Sequence, residues 1–105
     1  MRLLENSHTQ TDKKVLLEND QVKIEQTKLS EDLSTTTITI HAGGEYAFTA
    51  RSGVVQTYVG EGTISNGSEN FNLSIFNKIA LVRGERIKIT NNNNIPLIFN
   101  IISAN

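Results

Sequence analysis

From Val15 onward the apolar residues of this chain recur every second position, and the runs that carry them are cut short by glycine and asparagine. Val22 and Ile24 alternate with Lys23 and Glu25, and Ile38 and Ile40 alternate with threonines. A period of two places one set of side chains on one face of a pleated strand, and β-branched residues fit that surface. Further strands are expected over Tyr46–Ala50, Val54–Val59, Phe71–Phe76, Ile79–Val82, Arg86–Thr90 and Leu97–Ile102. In Phe71–Phe76 the alternation puts Phe71, Leu73 and Ile75 on one side. Gly43-Gly44, Gly60-Glu61-Gly62 and Asn66-Gly67 are turn signals, the last a strong hairpin dipeptide. No segment has a helical period. Short strands at this spacing make an all-β sandwich or barrel.

Composition narrows the functional classes. A chain of 105 residues is a single domain. Residues 1–14 are polar and without period, so a flexible N-terminal segment is expected there and the barrel over 15–105. The tetrad Leu3–Asn6 returns at Leu16–Asn19, too short an echo to be a repeat. Ten basic residues against eleven acidic leave a net charge of −1, which supplies no field for nucleic acid or a membrane surface. The start turns polar within a few residues, and no apolar run suits a signal peptide or a membrane span. There is no cysteine. A cytoplasmic protein is the expectation. On that reading the sequons Asn66-Gly67-Ser68 and Asn72-Leu73-Ser74 are chance.

Two stretches resemble the motifs of the cupin superfamily. Tyr58-Val59-Gly60-Glu61-Gly62-Thr63-Ile64 is similar to the end of the first cupin motif. Val82–Asn91 is similar to the second, with Gly84 and Asn91 in place, Val82 where the family has proline and Ile87 where it has histidine. Ile95-Pro96-Leu97 resembles the closing strand of cupins of the mannose-6-phosphate isomerase and sugar-nucleotide type, and Leu73–Ile79 the strand before the second motif. The resemblance covers roughly residues 36–102. It implies a double-stranded β-helix, a jelly-roll barrel with an internal cavity.

The resemblance also implies where metal donors would stand. The first-motif histidines fall among Phe48, Thr49, Ala50, Arg51 and Ser52, and the glutamate on Gly53 or Val55. The chain has only His8 and His41, and no histidine lies beyond His41, so no shift of register supplies imidazole. No metal and no other cofactor is expected. Phe48, Arg51, Val55, Ile87 and Phe99 are instead candidates to line a cavity, either as a filled core or around a sugar-like ligand or small acid. Alternation with Tyr46, Phe48 and Ala50 turns Arg51 outward.

Catalytic candidates are few. His41 is a candidate general base, with Tyr46 or Tyr58 as acid, as in metal-free sugar epimerases of this fold, and Glu45 is the only acidic residue near it in the chain. A surface strand-end histidine is the simpler reading. Arg83, Arg86 and Lys88 make a basic stretch, either an anion patch or a charged strand edge, with Ile87 and Ile89 turned inward. Asn91–Asn94 is expected to form a loop. The leading expectation is a non-catalytic small-ligand-binding or structural module. The alternatives are a metal-independent sugar or sugar-phosphate isomerase or epimerase, and a subunit acting through protein contact alone. Small cupins commonly pair, so a homodimer is expected, with residues 15–29 as a candidate exchanged strand.

Overall fold

The computed structural model describes residues 13–104. The flexible segment expected over residues 1–14 lies outside them except at its end, where Lys13 and Lys14 already belong to a strand. Ten strands follow in order: β1 (Lys13–Glu18), β2 (Val22–Lys28), β3 (Leu33–Ile40), β4 (Glu45–Thr49), β5 (Gly53–Val59), β6 (Gly62–Ser65), β7 (Asn70–Leu73), β8 (Lys78–Leu81), β9 (Arg86–Thr90) and β10 (Leu97–Ala104). Every pairing between them is antiparallel.

They form two sheets, one of six strands in the order β1-β2-β3-β10-β5-β8 and one of four in the order β4-β9-β6-β7. From β3 onward, successive strands cross between the sheets except at the β6–β7 hairpin, as in a jelly roll. The extra width of the larger sheet shows at β1, where Val15, Leu16 and Leu17 remain exposed. Residues 15–29, read above as a single candidate exchanged strand, span most of a two-stranded hairpin of β1 and β2, with β2 beside β3. Asn19 closes that hairpin: its Oδ1 accepts from the backbone N–H of Gln21 at 2.8 Å and of Val22 at 2.9 Å. The register of β1 slips between Val15 and Leu17. Such a bulge lets consecutive residues depart from strict alternation.

The inner faces of both sheets supply one core. Ile24, Ile38, Val55, Leu97 and Phe99 come from the larger sheet, and Ile64, Leu73, Ile87 and Ile89 from the smaller. Phe99, fully buried at the centre of β10, contributes about 1.5–3 kcal/mol through the apolar area it removes from water. The alternation over Arg86–Thr90 holds as read: Ile87 and Ile89 are buried, Arg86 and Lys88 exposed. The alternation over Phe71–Phe76 does not. β7 ends at Leu73, and Ser74–Asn77 is a turn closed by a bond from the Asn77 N–H to the Ser74 carbonyl at 3.1 Å. Ile75 and Phe76 therefore project into solvent.

Gly60 has a φ of 80°, and a Cβ there would run into the carbonyl oxygen of Pro96. At Gly62 a Cβ would stand 2.6 Å from the Leu97 side chain. The glycines of the β5–β6 turn are thus required by the approach of the segment leading into β10.

Candidate functional site

Of the positions at which the resemblance places metal donors, Phe48, Ala50, Val55 and Ile87 are packed among apolar side chains, while Thr49, Arg51 and Ser52 are exposed. Phe48 on β4 pairs directly with Ile87 on β9. Ala50, Val55 and Ile87 are in the buried core, and Phe48 packs against it. Phenyl, methyl and branched aliphatic groups offer no lone pair to a cation, so this arrangement does not fit a first-row metal ion. No group of three or more His, Cys, Asp or Glu suited to holding a metal occurs among the described residues.

Beside this filled centre the sandwich remains open. A cavity of about 530 Å³ lies between β4 and the β1–β3 side of the larger sheet. Its apolar wall includes Leu16, Leu17, Ile24, Ile38 and Phe48, and its polar positions are Gln26, Thr36, Tyr46, Thr49, Arg51 and Ser103. Tyr46 and Phe48, two apart on β4, turn to the same side and stack with ring centroids 5.5 Å apart. Burial raises the pKa of the Tyr46 hydroxyl above its ordinary 10.0, so it is a hydrogen-bond donor at neutral pH.

Of the five candidate cavity residues, Phe48 and Arg51 line this space. Val55 and Phe99 are fully buried in the core and do not reach it, and Ile87 borders a smaller depression with Ile64 and Leu81. Arg51 is exposed to solvent, as expected of it. β4 ends at Thr49, so strand parity stops short of Arg51, which also stands on the cavity wall. No carboxylate pairs with its guanidinium among the described residues. Leu16, Leu17, Gln26, Thr36 and Ser103 went unrecognised in the sequence, since only strand pairing brings them to the site.

The three catalytic candidates are spread over different surroundings. His41 directly follows β3, where its backbone N–H donates to the Gln21 carbonyl at 2.8 Å and its carbonyl accepts from the Gly44 N–H at 2.9 Å. Tyr58 is exposed on the outer face, its hydroxyl accepting from Asn100 Nδ2 at 3.3 Å. Only Tyr46 lines the cavity. Glu45, the acidic residue near His41 in the chain, forms an exposed ion pair with Lys88 at 3.2 Å. Such surface pairs contribute little to stability.

The Asn91–Asn94 segment is a loop with a structural post at its start. Asn91 is fully buried, and its side chain donates to the carbonyls of Ile40 and Ile95, each at 2.9 Å, while accepting from the Asn93 N–H at 3.0 Å. The asparagine of the second motif therefore ties the end of β3 to the entrance of β10.

No family model matches the chain, and no curated protein matches it. Solved structures do. One is an uncharacterized conserved protein with a double-stranded β-helix domain from Klebsiella pneumoniae, with a TM-score of 0.72 and 17% identity over 86% of this chain and 82% of that one. An RmlC-like cupin family protein from Methanocaldococcus jannaschii matches with a TM-score of 0.69 and 20% identity, over 87% of this chain and 88% of its own. A cupin superfamily protein from Desulfitobacterium hafniense matches at 0.67 and 11%, over 84% and 81%. With its sheet order and buried motif positions alongside these likenesses, the chain has the double-stranded β-helix fold of the cupins.

Proposed function

We propose that this protein is a non-catalytic binding module whose ligand is a small molecule with an apolar body and an acidic end, held in the cavity between β4 and the β1–β3 face. The carrying observation is the juxtaposition in one cavity of the stacked Tyr46–Phe48 pair and Arg51, whose guanidinium has no carboxylate partner among the described residues. Apolar walls with a few convergent polar groups are the usual make-up of small-molecule sites. A guanidinium reads a carboxylate or phosphate through paired N–H donors, and the Tyr46 hydroxyl adds a neutral donor. The spread of His41, Tyr46 and Tyr58 supports binding over epimerase chemistry, because a general base and acid must share a substrate.

A thermal-shift screen against aromatic and aliphatic carboxylic acids and sugar phosphates tests this. A ligand at about a hundred times its Kd stabilises the fold by about 2.7 kcal/mol. The shift should fall sharply in Arg51→Gln, whose exposed position leaves folding intact. A flat response across the whole panel defeats the reading.

The homodimer rests on β1. Its outer edge has no partner strand among the described residues, and its sequence Lys13-Lys14-Val15-Leu16-Leu17-Glu18 is self-complementary in antiparallel pairing. About a two-fold axis at Leu16, Lys14 faces Glu18 of the second copy and the exposed aliphatic residues meet each other. Pairing also covers a free edge that invites uncontrolled association.

A further inference from the structure

On the opposite flank of the sandwich from β1 and β4, the two sheets end in short free edges. β7 closes the smaller sheet and β8 the larger, and the Ser74–Asn77 turn joins them. Phe76 stands at the tip of that turn and is 86% exposed, the highest exposure among the large hydrophobic residues described. Phe71, on β7, is 50% exposed. Large aromatic surface left in water at two neighbouring places marks a contact site rather than a packing residue.

The chemistry of the seam between these edges is specific. Phe71 and Phe76 share it with Asn70, Asn72, Asn77 and Lys78, and no carboxylate lines it. Each asparagine amide offers two donors and an acceptor without carrying charge. Asn77 is held in place, its Nδ2 donating to the Asn72 carbonyl at 3.0 Å, which leaves its Oδ1 free to accept. The side chains of Asn70 and Asn72 make no hydrogen bond among the described residues.

We propose that this seam is a binding site for a neutral oligosaccharide, separate from the cavity between the sheets. A sugar ring has an apolar C–H face that packs on an exposed aromatic ring, and vicinal hydroxyls that both donate and accept. Phe76 supplies the first surface, with Phe71 at its margin on the other face of β7 from Asn70 and Asn72, and the three amides supply the second. An acidic ligand finds only Lys78 as a cation here. A peptide strand would gain little from edges of four residues each. The exposure of the site suits an extended polymer passing across the turn.

The test is a set of NMR titrations of the isotopically labelled full chain with cellohexaose, xylohexaose, maltohexaose and chitohexaose in turn. Saturable shifts are expected with at least one sugar at the side-chain amides of Asn70, Asn72 and Asn77 and at the Phe76 backbone. Phe76→Ala should fold as the wild type, because the ring is solvent-exposed, and should weaken that binding at least tenfold. Absence of saturable shifts with all four sugars overturns the proposal. So does binding that survives Phe76→Ala unchanged, or shifts that map to Tyr46, Phe48 and Arg51. Failure of the acid screen at Arg51 leaves this site untouched, because the two share no residue.

Discussion

Asn91 Nδ2 donates to the carbonyl of Ile40 at 2.9 Å, joining positions 51 residues apart with a side chain that is fully buried. The same amide serves Ile95 and Asn93, so one residue satisfies three backbone groups. Asn91→Ala removes all three bonds and leaves buried backbone groups without partners. A loss of about 3 kcal/mol is expected at roughly 1 kcal/mol for each bond, read from urea unfolding at neutral pH.

Thr57 presents the reverse case. It faces Phe99 across β5 and β10, and its hydroxyl is buried without a hydrogen-bond partner. Thr57→Val keeps the shape and removes the unpaired oxygen, so stability should rise by about 1 kcal/mol. Thr57→Ser keeps the oxygen and deletes a methyl, and should lower it by about the same amount. Denaturant midpoints of the two variants on opposite sides of the wild type are the expected result.

Glu85 gives the acid limb of stability a defined contributor. The side-chain bond from Asn66 at 2.9 Å, and then the bond from the Val82 N–H at 2.8 Å, hold its pKa below the ordinary 4.5. A pKa depressed on folding stabilises the native state above the unfolded value, and that stabilisation is lost as pH falls through the folded value. Melting temperature should therefore decline below about pH 4.5, and Glu85→Gln should make the decline shallower.

If two copies join through β1, charge order along that strand governs the association. Lys14→Glu places like charges opposite one another and should shift the protein toward monomer. Adding Glu18→Lys to the same chain restores opposite charges across the axis and should restore the dimer. Sedimentation velocity over a range of concentrations reads both. A wild-type chain that is monomeric throughout removes the basis for this pairing.

The sequence was legible wherever local pattern and tertiary burial agree. Arg86–Thr90 alternates cleanly and is a strand over the same residues, with Ile87 and Ile89 inside. Phe71–Phe76 alternates just as well, yet Ser74 and Asn77 close a turn and throw Ile75 and Phe76 outward, a decision made by turn chemistry. The segment expected to be flexible took in Lys13 and Lys14, which belong to β1, because lysines carry no apolar signal. The pairing of β1 with β2 and its bulge supply what the pattern lacked. For the cavity, motif spacing pointed to Phe48 and Arg51. Leu17, Thr36 and Ser103 arrive there through pairings between distant strands, which one-dimensional spacing does not encode.

The close packing of Ala50, Val55 and Ile87 has a consequence for the protein's life in a cell. A mutation that places a charged or polar side chain at any of these three positions buries it without a partner, and the fraction of unfolded chain rises as stability is lost. Proteolysis of that unfolded fraction then lowers the amount of protein present, so these buried positions act on abundance before they act on any ligand.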